Sequence, residues 1–241
     1  MITFTVHSDA EGINALAASA SPNDLSGNRH RQLIGWIGIV LPLVLIGLAL
    51  WRDGWEQVKN LESISAYYYS GGVAAFLGML VALALFLFAY RGYKDTDLNK
   101  YNWADRAAAM VAAGSAIVVA FFPTMAPKGV VALLWWKSWV GVLHHVAAFV
   151  LFAMFAIFAL WLFRLKPDGK RGLESWRDRV YLVCGVMIVV CIVWAGYNGW
   201  NGLPIFWPES FALLFFSASW LVKGYAPRKL GAMVASVPKS S

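Results

Sequence analysis

Charge is scarce in this chain. Asp, Glu, Lys and Arg make up 14% of its 241 residues, against about a quarter in an ordinary soluble domain. Cysteine is scarcer, with two in all. Cys184 and Cys191 stand two helical turns apart in one apolar stretch, about 10 Å along a helix axis. They cannot bridge each other, so a disulfide scaffold and a paired-cysteine metal set are excluded, and both read as small hydrophobes. The sequence also has no phosphate-binding glycine loop and no His-Glu-x-x-His pair, which removes the familiar motifs of soluble enzymes. No basic region leads into an apolar core before Arg29, so a cleaved signal peptide is not expected.

What is present is apolar length. The chain is 60% hydrophobic, with a mean hydropathy of +0.60. Six apolar stretches run through residues 33–51, 67–90, 107–122, 139–163, 180–197 and about 205–222. A helix needs about 20 apolar residues to cross roughly 30 Å of hydrocarbon. The sequence therefore predicts an all-α fold, a six-transmembrane-helix bundle over residues 33–223. A mobile tail is expected at 1–32 and a second tail at 224–241.

The positive charge is sorted between the connections. Arg29 and Arg31 precede the first stretch, four basic residues lie between the second and third, six between the fourth and fifth, and four after the sixth. These are sixteen of the 20 Lys and Arg residues. The other side keeps Arg52, Lys59, Lys128 and Lys137. Such a split is the positive-inside pattern and predicts both termini in the cytoplasm. A net charge of +7 is then explained by topology and anionic headgroups, and no nucleic-acid partner is expected.

Several local readings follow. Residues 51–66 carry helical spacing and predict a short surface helix, followed by a tyrosine run at an interfacial depth. The apolar run from Val130 to Phe163 is about 50 Å as one helix, too long for one crossing. Its first part is expected to be interfacial or re-entrant, with the span beginning near Ser138. The alanine-rich third stretch predicts the central helix, since small residues let helices approach closely in lipid. The sixth helix, read from Pro208, comes out short.

Most polar groups within the spans fall at one depth, near the outer face. They are Ser65 and Tyr69 at the start of the second span, His144 and His145 in the fourth, Asn198 and Asn201 at the end of the fifth, and Glu209 at the start of the sixth. Ionisable groups within hydrocarbon mark a site or a pairing partner. The sequence predicts a central pair of Glu209 with His144 or His145, hydroxyls from Ser65 and Tyr69, and a mouth lined by Asn198 and Asn201. The adjacent histidines point about 100° apart, and which one faces inward is open. The cytoplasmic half offers only Ser217 and Ser219. No metal or other cofactor is expected, because too few ligands are visible.

The runs Ser63-Ile64-Ser65-Ala66-Tyr67-Tyr68-Tyr69, Phe86-Leu87-Phe88-Ala89-Tyr90-Arg91-Gly92-Tyr93 and Trp207-Pro208-Glu209-Ser210, with Ser219-Trp220-Leu221-Val222-Lys223-Gly224, resemble an uncharacterised bacterial six-span membrane family. That resemblance implies a multi-pass protein of the bacterial cytoplasmic (inner) membrane. A second, partial resemblance is to intramembrane hydrolases of the alkaline-ceramidase and adiponectin-receptor type. Ser65 and His144 or His145 match part of that pattern, but there is no His-x-x-x-His and no late histidine. The expected function is a polar pocket at the outer-leaflet level that binds a lipid or small amphipathic ligand. An intramembrane hydrolase acting on a lipid ester or amide is the alternative.

Overall fold

The computed structural model describes residues 22–53, 62–92, 102–165 and 175–225. Among these the secondary structure is helical, with no strand ladder. The six long helices are α1 (Pro22–Asp53), α2 (Val73–Ala89), α3 (Asn102–Phe121), α4 (Ser138–Leu160), α5 (Trp176–Trp200) and α6 (Phe206–Tyr225). Each packs on its neighbours in sequence, and α1 packs on α6, so the helices close into a ring. A short 3-10 turn, Ser65–Tyr69, leads into α2.

Four segments, Gly27–Trp51, Asn102–Phe121, Ser138–Arg164 and Trp176–Trp200, are long and apolar enough to cross a membrane. Helix α2 is apolar but has 17 residues, about 26 Å. Helix α6 has 20 residues, about 30 Å, with Glu209 in its first turn and Lys223 in its last. The outward faces are as apolar as the core. Leu43, Leu85, Val142, Phe149, Val183 and Val193 are all exposed. Apolar surface on this scale calls for lipid or another protein around it.

One half of the ring is filled by aromatic rings. Trp220 is wholly buried, with the rings of Tyr90, Phe158 and Phe163 each centred 5.1 Å from it. Phe155 of α4 stacks on Phe216 of α6 across the ring, centroids 3.7 Å apart. The alanines of α3 do what small residues allow. Ala109, Ala112, Ala116 and Ala120 are fully buried at helical spacing, on the face between α2 and α4. Ala112→Leu is expected to overpack this contact by about 1 to 3 kcal/mol. Thermal unfolding in detergent at the parent temperature would remove the close-contact reading.

Several boundaries differ from the sequence reading. Helix α1 starts at Pro22, ahead of the apolar run, and is held by contacts from His30 and Gln32. His30 Nε2 bonds the Phe86 carbonyl at 2.7 Å, and the Gln32 amide donates to the Gly224 carbonyl at 3.1 Å. Helix α6 extends two residues further at each end than the 208–223 reading allowed. Residues 130–136 are not helical but form exposed turns, while α4 does begin at Ser138. The surface helix expected in 51–66 falls largely on 54–61, outside the described residues.

The largest difference is at the start of α3. Residues 91–106 read as a charged connection, yet the helix begins at Asn102 and takes Asp105 into the bundle with no exposed surface. The half expected to face the cytoplasm therefore offers more than Ser217 and Ser219. The Tyr90 hydroxyl donates to Asp105 Oδ2 at 3.1 Å, and Arg106 donates to the Phe88 and Tyr90 carbonyls at the end of α2. Arg106 thereby closes the end of α2, where four carbonyls lack intrahelical partners, and Asp105 holds the Tyr90 side chain beside it. A pattern of charge in sequence cannot distinguish such a clamp from a solvated loop.

Candidate functional site

The other half of the ring holds a cavity. Its wall is apolar and drawn from five helices: Leu41 of α1, Phe76 and Leu80 of α2, Val119 of α3, Leu151 of α4 and Leu213 of α6. The polar residues on it are Ser65 and Glu209. The space between these side chains, counted out to the mouth, is about 390 Å³, at the small end of ligand sites, so it suits a small head group rather than a whole lipid.

The strand of chain just before α2 spans the top of this cavity. The Glu62 carbonyl accepts from the Ile205 and Phe206 amides, at 2.7 and 3.1 Å. The Ile64 amide donates to Glu209 Oε2 at 2.8 Å. These three bonds tie this strap, residues 62–66, to the start of α6, where Pro208 and Glu209 suit the free N–H end of a helix. Ser65 ties the strap to α4 instead, its Oγ 2.9 Å from His144 Nε2.

His144 is 2% exposed and is fixed at both nitrogens. Nδ1 donates to the Phe122 carbonyl at 2.6 Å. In the singly protonated ring Nε2 is then the acceptor, and the Ser65 hydroxyl is its donor. The Phe122 carbonyl is free for this because α3 ends ahead of Pro123, where helix geometry is disfavoured. The next two carbonyls are met in the same way. Trp136 Nε1 donates to Pro123 at 3.1 Å, and the Tyr69 hydroxyl donates to Thr124 at 2.8 Å. Three side chains from three segments thus cap the end of α3.

The expected central pair is not formed. Glu209 bonds Ile64, His144 bonds Ser65, and the two are linked only through adjacent residues of the strap. His145 is exposed and bonds the Gly141 carbonyl of its own helix at 2.6 Å. His144 is therefore the inward histidine. Tyr69 supplies its hydroxyl to a carbonyl rather than to the cavity. Asn198 and Asn201 also stay local: their amides donate to the Pro204 and Tyr197 carbonyls at 2.7 and 2.8 Å, closing the turn between α5 and α6. Neither lines the cavity, because unpaired carbonyls at a helix end are nearer partners. Sequence reasoning missed the backbone half of the site, the Ile64 amide and the Phe122 carbonyl. The Phe122-Pro123 pair was the available signal for the second.

Among the described residues there is no group of three or more His, Cys, Asp or Glu placed to hold a metal. Cys184 and Cys191 are buried free thiols on α5.

The match to a family described as "Protein of unknown function (DUF998)" runs over residues 36–222. The chain belongs to the DUF998 family. Comparison with curated proteins and with solved structures finds no match. The family match runs from within α1 to within the last turn of α6 and includes the strap and the residues that line the cavity. With its lipid-length apolar helices, this DUF998 member is a multi-pass membrane protein.

Proposed function

We propose that all six helices cross the bacterial cytoplasmic membrane with both termini inside, and that the strap-capped cavity binds a membrane lipid or a small amphipathic ligand at the outer-leaflet level. Two girdles of exposed aromatics support six crossings. Trp51, Trp139, Trp200 and Trp207 stand at the strap end of the ring, and Trp103, Trp176 and Tyr225 at the other. From Trp103 to Phe121 and from Trp207 to Tyr225 is about 27 Å at helical rise, close to the hydrocarbon thickness that aromatic belts bracket. The charge count then sets the orientation. A cysteine placed at Lys128 (Lys128→Cys) is expected to react with an impermeant maleimide in intact cells. A cysteine at Ser175 (Ser175→Cys) is expected to react only after permeabilisation. The reverse pattern would invert the topology.

The observation that carries the binding role is the cavity's make-up, an apolar wall from five helices with Ser65 and Glu209 as its polar residues. Concave apolar sites with few polar groups are the usual ground for small ligands. A sensor, carrier or accessory protein fits this. Native mass spectrometry of the purified chain is expected to show a retained amphiphile. Ala148→Phe, on the cavity wall, is expected to reduce that load. Equal loads in both proteins would overturn the reading.

The Ser65–His144 bond favours one alternative, hydrolysis of a lipid ester or amide, because a base held by a third group beside a hydroxyl is how serine nucleophiles are activated. The third group here is the Phe122 carbonyl. Against this, Glu209 lines the same cavity, and an oxyanion forming beside a carboxylate is repelled where catalysis needs donors. The binding reading is the better supported of the two.

A further inference from the structure

We propose that the ligand's head group is a hydrogen-bond donor, and specifically a primary ammonium on an alkyl chain. The proposal rests on the binding role above and deepens it. It follows from an inventory of what the polar rim of the cavity still has to offer. The Ile64 N–H is already given to Glu209 Oε2, and the Ser65 O–H is already given to His144 Nε2. His144 cannot take the opposite role, since its Nδ1–H is held by the Phe122 carbonyl. What remains on the polar side chains of the rim, with Glu209 ionised, is acceptor capacity alone: Glu209 Oε1, the second lone pair of Oε2, and the lone pairs of Ser65 Oγ. Among the described residues no basic side chain lines the cavity. Among the described residues, Glu209 makes no side-chain bond other than that with the Ile64 amide.

A site of this kind selects by what it lacks. A carboxylate or phosphate head brings acceptors and negative charge to a rim that has both already. An ester head brings acceptors with nothing to receive them. A hydroxyl head gives one donor. An ammonium gives three donors and the charge that a carboxylate at membrane depth otherwise lacks, and bonds between ionised partners are about twice as strong as neutral ones. The N-terminal end of α6 favours negative charge at Glu209, and an ammonium beside the carboxyl favours the ionised form further. The cavity has room for an ammonium and its first methylene groups beside Glu209. The remaining chain lies along the apolar wall and through the mouth.

Dodecylamine, dodecanol and dodecanoate separate these cases at constant chain length. Binding is followed on the purified full chain in lipid nanodiscs by intrinsic tryptophan fluorescence. The amine is expected to bind tighter than dodecanoate by tenfold or more, with dodecanol between. Glu209→Gln keeps an acceptor for the Ile64 amide, so the strap is retained, and it should bring the amine to within about twofold of the alcohol. Ala148→Phe should abolish binding of all three. If dodecanoate binds as tightly as the amine while Ala148→Phe blocks both, the head-group assignment is wrong and the cavity stands. An amine preference that survives Glu209→Gln also overturns the assignment, because the head then meets another group. If no probe binds, or if Ala148→Phe leaves binding unchanged, the binding site itself is elsewhere and both readings fall.

Discussion

Gly38→Leu is expected to prevent the ring from closing. A Cβ at Gly38 would fall on the Ser217 hydroxyl and within 3.1 Å of the Phe216 ring. One helical turn away, a Cβ at Gly35 would lie 2.8 Å from the Leu221 side chain. The two glycines bring α1 against α6, the contact that joins the first helix to the last. Ser217 has no room to retreat, being wholly buried with its hydroxyl bonded to the Leu213 carbonyl at 2.7 Å. Overpacking costs about 1 to 3 kcal/mol where side chains can shift, and more where they cannot. Loss of about 3 kcal/mol or more is expected here, read as a large drop in the unfolding temperature or as failure to recover folded protein. Gly47→Leu is the matched control. A Cβ at Gly47 meets nothing within 4 Å, and the residue is exposed. Equal unfolding temperatures for the two variants would show that α1 and α6 are not held by close approach.

His144→Ala is expected to cost about 2 to 4 kcal/mol, and His145→Ala within about 0.5 kcal/mol of nothing. His144 joins three segments: α4 that carries it, the strap through Ser65, and the end of α3 through the Phe122 carbonyl. Truncation leaves a void and strands one buried hydroxyl. His145 is exposed and bonds only its own helix. Differential scanning of both variants in the same detergent decides the matter. If His145→Ala proves the more damaging, the assignment of the inward histidine is wrong. Ser65→Ala should lie between them, since it removes one of the two bonds and leaves His144 anchored at Phe122.

Much of the candidate site was legible because polar residues are rare in apolar helices. Ser65, His144 and Glu209 stand out in the sequence against long runs of Leu, Val, Phe and Ala, and all three converge at the strap. The pairing among them was not legible. Hydrogen bonding in a bundle is settled by angles and offsets of a few ångström, and the nearest competitor for each side chain is often a backbone group. Glu209 found the Ile64 amide, Tyr69 the Thr124 carbonyl, and Asn198 and Asn201 the carbonyls of their own turn. None of these backbone partners has a signature in residue type.

Asp105 marks the same limit at the opposite end. Its neighbours Asn102 and Arg106 are ordinary loop residues by composition, and charge density alone placed them outside the bundle. The helix runs through them because Asp105 has Tyr90 and Arg106 has the Phe88 and Tyr90 carbonyls as partners. Those contacts join positions more than a dozen residues apart across a connection.

The sequence by itself determined that this chain is a helical membrane protein, since stretches of about 20 apolar residues match the hydrocarbon thickness as helices and are too long for spanning strands. It also determined the depth at which polar groups collect, because rise per residue converts position into height. Only the tertiary structure decided that the helices close into a ring, that His144 and not His145 turns inward, and that Glu209 is left facing the cavity with acceptors to spare. Height is a property of one helix and can be counted along it. Rotation and partnership belong to pairs of helices, and they are fixed only when glycines such as Gly38 and the alanines of α3 let particular faces meet.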